Sequence, residues 1–142
     1  MKSLISKGIG LCILSIALFS FAAKPGGEGF EILLNNKVVL QKFGTDMNLV
    51  QSLALSQQSG TGQLTIKYHH CGKVGKNRVI TIKDSNNKTL KTFIYDDAAT
   101  PVSAMAINVK EIVNLKKGEL KLYYSSSELV KERLLTTIVM AV

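Results

Sequence analysis

The chain has no tryptophan, two prolines, two cysteines and no acidic residue before Glu28. Each shortage narrows what the protein can be. With one cysteine beyond the N-terminal apolar run, Cys71, no internal disulfide can staple the folded part, so packing must hold it together. With prolines at positions 25 and 101 alone, polyproline architecture is excluded. With two histidines, His69 and His70, and that single downstream cysteine, a complete Cys/His zinc cage cannot be assembled. No serine sits in G-x-S-x-G, and no pair of isolated carboxylates marks a glycosidase acid and base.

What is present begins with a basic head, Lys2 and Lys7, followed by the apolar run in "GIGLCILSIALFSFAA" and a small-residue exit. That order describes a secretory signal peptide, and the run is short for a membrane span of about 20 residues. Cleavage after Ala22 leaves Ser20 and Ala22 at the two positions the peptidase needs small, which predicts a signal peptide over 1–22 that carries Cys12 away. The expected mature chain has no membrane span and is a single-domain length. Removing Lys2 and Lys7 from the 18 basic residues leaves 16 against 10 acidic ones, a net charge of +6. Such a balance biases the chain toward anionic partners, an acidic glycan, a lipid headgroup or an acidic protein surface. Nucleic acid is not expected, because no basic run exceeds Lys116-Lys117.

Residues 23–29 read as a flexible lead, and 30–142 as one β domain. Short strand patterns recur at roughly ten-residue spacing: "FEILL", "KVVLQKF", "LVQSLAL", "QLTIKYHHC", "RVITIKD", "TLKTFIY", "VSAMAINVKEIV", "ELKLYYSSS" and "RLLTTIVMAV". Asn35-Asn36 suits a tight hairpin turn, since Asn tolerates positive φ. Period-two alternation puts Leu64, Ile66, Tyr68 and His70 on one face and Thr65, Lys67, His69 and Cys71 on the other. It likewise separates Leu120, Leu122 and Tyr124 from Glu119, Lys121 and Tyr123. One dry and one wet face per strand predicts an all-β antiparallel sandwich of eight or nine strands, with a barrel as the alternative. The helix candidate is a turn or two in "SSELVKERLL", capped by Ser127.

Chemistry-bearing residues gather in "KYHHCGKVGKNR", Lys67 to Arg78. Setting His70 opposite Arg78 predicts a hairpin with Tyr68 across from Ile80 and Ile66 across from Ile82, which sends both apolar sets to one side. Its basic glycine loop, with Lys73, Lys76 and Arg78, is a candidate anion-binding tip, although the Walker spacing is absent and a strand follows. His69 and Cys71, at i and i+2 of a strand, can offer two metal ligands, with Asp84, Asp96 or Asp97 needed to complete the set, or a histidine beside a thiol. Asp96-Asp97 also offers oxygens for calcium, and Asn87-Lys88-Thr89 is a glycosylation sequon. Tyr123 is the candidate surface aromatic, placed outward by parity.

"GFEILLNNKVVLQKF", "YHHCGKVGKNRVITIKD" and "LYYSSSELVKERLLTTI" resemble segments of small exported bacterial proteins with a signal peptide and a β-rich mature domain. The resemblance spans most of the mature chain and implies export from a Gram-negative bacterium, to the periplasm or beyond. It brings no activity, cofactor or partner with it. Together these features point to an exported, non-enzymatic binding or interaction module without a cofactor. Two other readings stay open. One is an assembly subunit that pairs through edge strands, its C-terminal "TTIVMAV" lacking charge. The other is a metal or thiol protein built on His69 and Cys71.

Overall fold

Alternating apolar residues and asparagine or glycine turns fold this chain into two stacked sheets. The computed structural model describes residues 27–56 and 61–141; the expected signal peptide and Cys12 lie outside the described residues. The strands are β1 (Glu28–Leu34), β2 (Lys37–Phe43), β3 (Gln51–Ser56), β4 (Gln63–His70), β5 (Arg78–Asp84), β6 (Thr89–Tyr95), β7 (Ala104–Asn108), β8 (Glu119–Ser125) and β9 (Arg133–Ala141). One sheet runs β2-β1-β4-β7 and the other β3-β9-β8-β5-β6, so the architecture is the expected sandwich. Neighbouring strands are antiparallel except β3 and β9, which run parallel from Gln51 opposite Thr136 to Ser56 opposite Ala141.

The asparagine turn behaves as its chemistry requires. Asn35 and Asn36 take φ of 51° and 68°, which closes β1 onto β2 with Leu34 opposite Lys37. Asn35 also accepts the Gln63 amide at 2.9 Å through its side-chain oxygen, tying the turn to the start of β4.

Four expectations change. The β4–β5 hairpin does not form: β4 pairs with β1 and β7, and β5 with β6 and β8. Instead His70 closes a tight turn with Lys73 through Cys71 and Gly72, at φ of 55° and 84°, and the chain then crosses to the other sheet. A seven-residue connection spans the roughly 10 Å between packed sheets as readily as it loops between neighbours. The apolar faces come out the same either way, which is why alternation fixed them and not the pairing. Second, the C-terminal strand is not an edge, because β9 lies between β3 and β8. Third, the short helix falls at Val109–Val113, here α1, inside a stretch that reads as strand; Val109 and Ile112 bury at its i, i+3 spacing. Residues 126–132 hold turns and bends in place of the expected helix. Fourth, β1 begins at Glu28, two residues inside the expected lead.

Leu64, Ile66, Tyr68 and His70 of β4 and Leu120, Leu122 and Tyr124 of β8 are buried as parity required, against Phe30, Ile32, Ile80, Ile82, Met105 and Ile107. The margin where β6 faces β7 is clasped by side chains. Tyr95 donates to the Ala106 carbonyl of β7 at 2.8 Å, and Lys91 pairs with Glu111 of α1 at 2.9 Å. Arg78 reaches the Asp96 and Ser103 carbonyls at 2.9 and 3.0 Å, holding the loop between the two strands.

Candidate functional site

The residues from His70 to Arg78 assemble a polar knot inside the end of the sandwich. His70 accepts or donates at Nε2 with the Tyr124 hydroxyl at 2.8 Å, with Ser126 Oγ at 3.4 Å and Glu128 Oε1 at 4.0 Å. The Tyr124 ring stacks on Tyr68 with centroids 4.4 Å apart, and the Tyr68 hydroxyl donates to Glu28, whose carboxylate also meets Arg133 Nε at 3.4 Å. Burial pushes the His70 imidazole below its ordinary range, and the Arg78 charge adds to that against the pull of Glu128 and Glu28. Burial raises the Tyr124 phenol and, together with the Glu28 hydrogen bond, the Tyr68 phenol. For Glu128, burial pushes upward, but bonds from the Lys76 amide and Ser126 and the nearby His70 outweigh it, and its carboxyl lies below the usual value.

This cluster is closed to ligands. Tyr68, His70, Gly75, Arg78, Met105 and Tyr124 surround a gap with no room for a water molecule. Among the described residues every buried side-chain nitrogen and oxygen has a hydrogen-bond partner. The knot is therefore a structural fastener, and a solvated acid or base does not come from it.

The expected basic tip is divided by the same packing. Lys73 and Lys76 are exposed, whereas Arg78 is buried and spends its guanidinium on the two loop carbonyls. The loop amides are engaged as well. Lys76 N–H donates to Glu128 at 2.8 Å, Asn77 N–H to Asp97 at 2.9 Å, and Lys73 N–H to the His70 carbonyl at 3.1 Å. A phosphate cradle needs such amides free.

His69 and Cys71 emerge on the outer side of the four-stranded sheet. His69 Nε2 lies 3.3 Å from Glu31 and its ring meets Phe43 edge-on at 5.1 Å. Cys71 is a free, exposed thiol on the turn. Among the described residues no group of three or more His, Cys, Asp and Glu side chains is placed to hold a metal. Asp84 is instead used as a turn brace, accepting the Lys88 and Asn86 amides at 2.9 Å, which, with Lys88 foremost, holds its carboxyl below the usual range.

Outside, the five-stranded sheet brings together residues that the sequence scatters. Ile82 and Leu122 point inward, so their neighbours Lys83 and Lys121, directly opposite in the β5–β8 register, face out. Tyr123 lies opposite Thr81 on the same face, with Lys83 Nζ 4.7 Å from the ring centroid. Lys117 and Lys88 come close enough to Asp84 for their charges to lower its pKa, and Lys121 Nζ donates to Asn87 at 3.1 Å. Lys83 pairs with Glu132. Lys83, Lys121 and Tyr123 thus share the outer face of β5 and β8, with the loop residues Lys88 and Lys117 near Asp84 at its end. Like charges directly across a ladder lower stability by up to about 1 kcal/mol, and here the Lys83–Glu132 ion pair and the Lys121–Asn87 hydrogen bond offset that cost. The tyrosine was readable by parity. The lysine pair was not, because Lys83 and Lys121 meet only when β5 pairs with β8; the one clue was their outward parity.

Along residues 128–134 a surface groove of about 530 Å³ holds Glu28, Glu128 and Glu132. All three carboxylates are already engaged, by Tyr68 and Arg133, by the Lys76 amide, and by Lys83. Compared with protein-family models and with curated proteins, the chain matches none.

Proposed function

We propose that the protein is an exported, non-enzymatic binding module, periplasmic or secreted, that recognises an acidic glycan on the outer face of its five-stranded sheet. The observation that carries this reading is the pair Lys83 and Lys121, directly opposite each other on the outer face of β5 and β8, with the Lys83 ammonium over the Tyr123 ring. A sugar ring stacks on an aromatic face, and its carboxylate or sulfate groups take the surrounding ammonium donors. The sealing of His70, Tyr124 and Arg78 in the core supports a role in binding over one in acid–base chemistry. Nothing in this reading requires a cofactor.

The test is a panel of acidic and neutral glycans beside vesicles with and without anionic lipid, measured at low and physiological salt. Binding to acidic glycan that weakens as salt rises is expected, as is a shallower salt dependence for the Lys117→Gln/Lys121→Gln double variant. Loss on Tyr123→Ala with the lysines intact points to the sugar ring. Salt-insensitive binding, or none, overturns the reading; preference for anionic vesicles reassigns the face to a lipid surface.

A further inference from the structure

In the unliganded protein the outer face of β5 and β8 already holds an anion of its own. Lys83 donates its ammonium to the Glu132 carboxylate, and the same ammonium lies 4.7 Å from the centroid of the Tyr123 ring. The lysine side chain is held over the ring and is only 17% exposed, against 36% for Glu132. Glu132 reaches this position from just ahead of β9, since Leu134 stands opposite Tyr123 in the β8–β9 register and Glu132 comes two residues earlier. One carboxylate thus engages a cation of the face and, through it, covers the aromatic ring.

Charge explains why a carboxylate belongs there. Lys83 and Lys121 are directly opposite in the β5–β8 register, where like charges repel. Lys121 donates to a neutral acceptor, Asn87 Oδ1, at 3.1 Å, so the negative charge that offsets the pair is that of Glu132. This carboxylate can also leave without disturbing the fold. Its segment is fastened on either side, by the Lys76 amide on Glu128 at 2.8 Å and by Arg133 against Glu28 at 3.4 Å. Glu132 itself borders the groove of about 530 Å³, which gives it room to move. The bond it would release is a partly exposed ion pair, which is individually weak.

We infer that Glu132 is a built-in stand-in for the ligand: an acidic glycan places its own carboxylate on Lys83, displaces Glu132 and uncovers the Tyr123 ring for the sugar. The inference rests on the acidic-glycan reading above and adds to it the residue that sets strength and selectivity. A neutral sugar brings nothing to replace the Glu132 carboxylate, and it meets a covered ring and a satisfied lysine. An anionic sugar exchanges like for like at Lys83 and finds in Lys121 a second ammonium, which among the described residues carries no carboxylate.

Oligogalacturonate is the probe, with a neutral galactose oligomer beside it, titrated at low salt into wild type, Glu132→Gln, Lys83→Gln and the double variant. Glu132→Gln should bind the acidic probe about two- to fivefold tighter, the range that a surface ion pair allows, and Glu132→Ala should do the same. Asp46→Asn, an equal change of charge on the exposed turn after β2, should bring no such gain. In the Lys83→Gln background the Glu132 substitution should change nothing, because the competition runs through Lys83. Carbon NMR of the Glu132 carboxyl reads the displacement directly. Saturating probe should shift it in wild type toward the position it takes in ligand-free Lys83→Gln. Wild-type binding without a gain in Glu132→Gln, an equal gain in Asp46→Asn, or an unmoved Glu132 signal overturns the inference and leaves the glycan reading standing. Binding by neither wild type nor Glu132→Gln removes the glycan reading itself, and this inference with it.

Discussion

Replacing Gly75 by alanine sets a methyl group against three atoms of the buried knot at once. An alanine Cβ at this position would lie 3.1 Å from Arg78 Cδ, 3.2 Å from the Tyr124 hydroxyl and 3.3 Å from His70 Cδ2. None of the three can step back freely. Arg78 is held by two carbonyls, Tyr124 by Tyr68 and His70, and His70 by Tyr124 and Ser126. Overpacking of a tight site costs about 1–3 kcal/mol, and weakening the His70–Tyr124 bond adds up to about 1 kcal/mol. Against this, alanine narrows the unfolded ensemble by about 0.4–1 kcal/mol. The clash wins, and the expected net loss is about 1–2 kcal/mol, or a fall of roughly 4–8 °C in melting temperature for a domain of this size. Guanidinium unfolding measures it, with Gly118→Ala as the matched control, because no atom lies within 4 Å of the added Cβ there and its φ is not positive. Should Gly75→Ala prove as stable as Gly118→Ala, the knot is soft and the fastener argument fails.

His70 titrates lower in the folded state than in the unfolded chain, so the unfolded chain binds the proton first as pH drops. The stability His70 provides is therefore complete above about pH 6.5 and is lost as pH falls from there toward its folded value, with a slope no steeper than about 1.4 kcal/mol per pH unit. Denaturant midpoints between pH 7.5 and 5.5 should show this decline in wild type and a flatter profile in His70→Gln; equal profiles would refute it. At the β1–β2 turn, Asn36→Gly should stabilise by roughly 0.5–1 kcal/mol because glycine accepts φ of 68° without strain, whereas Asn35→Gly should gain nothing, since it forfeits the bond to the Gln63 amide. Thermal melts of the two variants separate these cases, and equal shifts would mean the side-chain bond contributes nothing.

Alternation along β4 and β8 revealed which side chains face the core, and asparagine chemistry located the β1–β2 turn, because both signals are local. Pairing partners are not local. The apolar residues of β4 and β5 satisfy a hairpin and a crossing between sheets equally well, and no side chain between Cys71 and Asn77 distinguishes the two. The uncharged end of the chain reads as an edge in isolation, yet β3, some 85 residues earlier, pairs along its far side and makes it an interior strand. Likewise, parity exposed Tyr123 but said nothing of Lys83 over its ring, which comes from β5 and reaches it only once β5 pairs with β8. His70 and Arg78 were correctly taken to share the core end; that they are sealed there follows from Gly75 and Tyr124, whose roles depend on the loop's path.

The parallel pairing of β3 with β9 also governs when this protein can fold. The Thr136 hydroxyl meets the Gln51 carbonyl across a separation of 85 residues, and β8, the other neighbour of β9, cannot receive it earlier. A chain without β9 lacks the strand that joins β3 to the rest of its larger sheet. Until β9 arrives, its ladders to β3 and β8 cannot form. Long loop closure of this kind places folding in the millisecond-to-second range and delays it until β9 is available. The nine-residue strand β9 thus sets when the larger sheet can close, and without it β3 would be cut off from β8, β5 and β6.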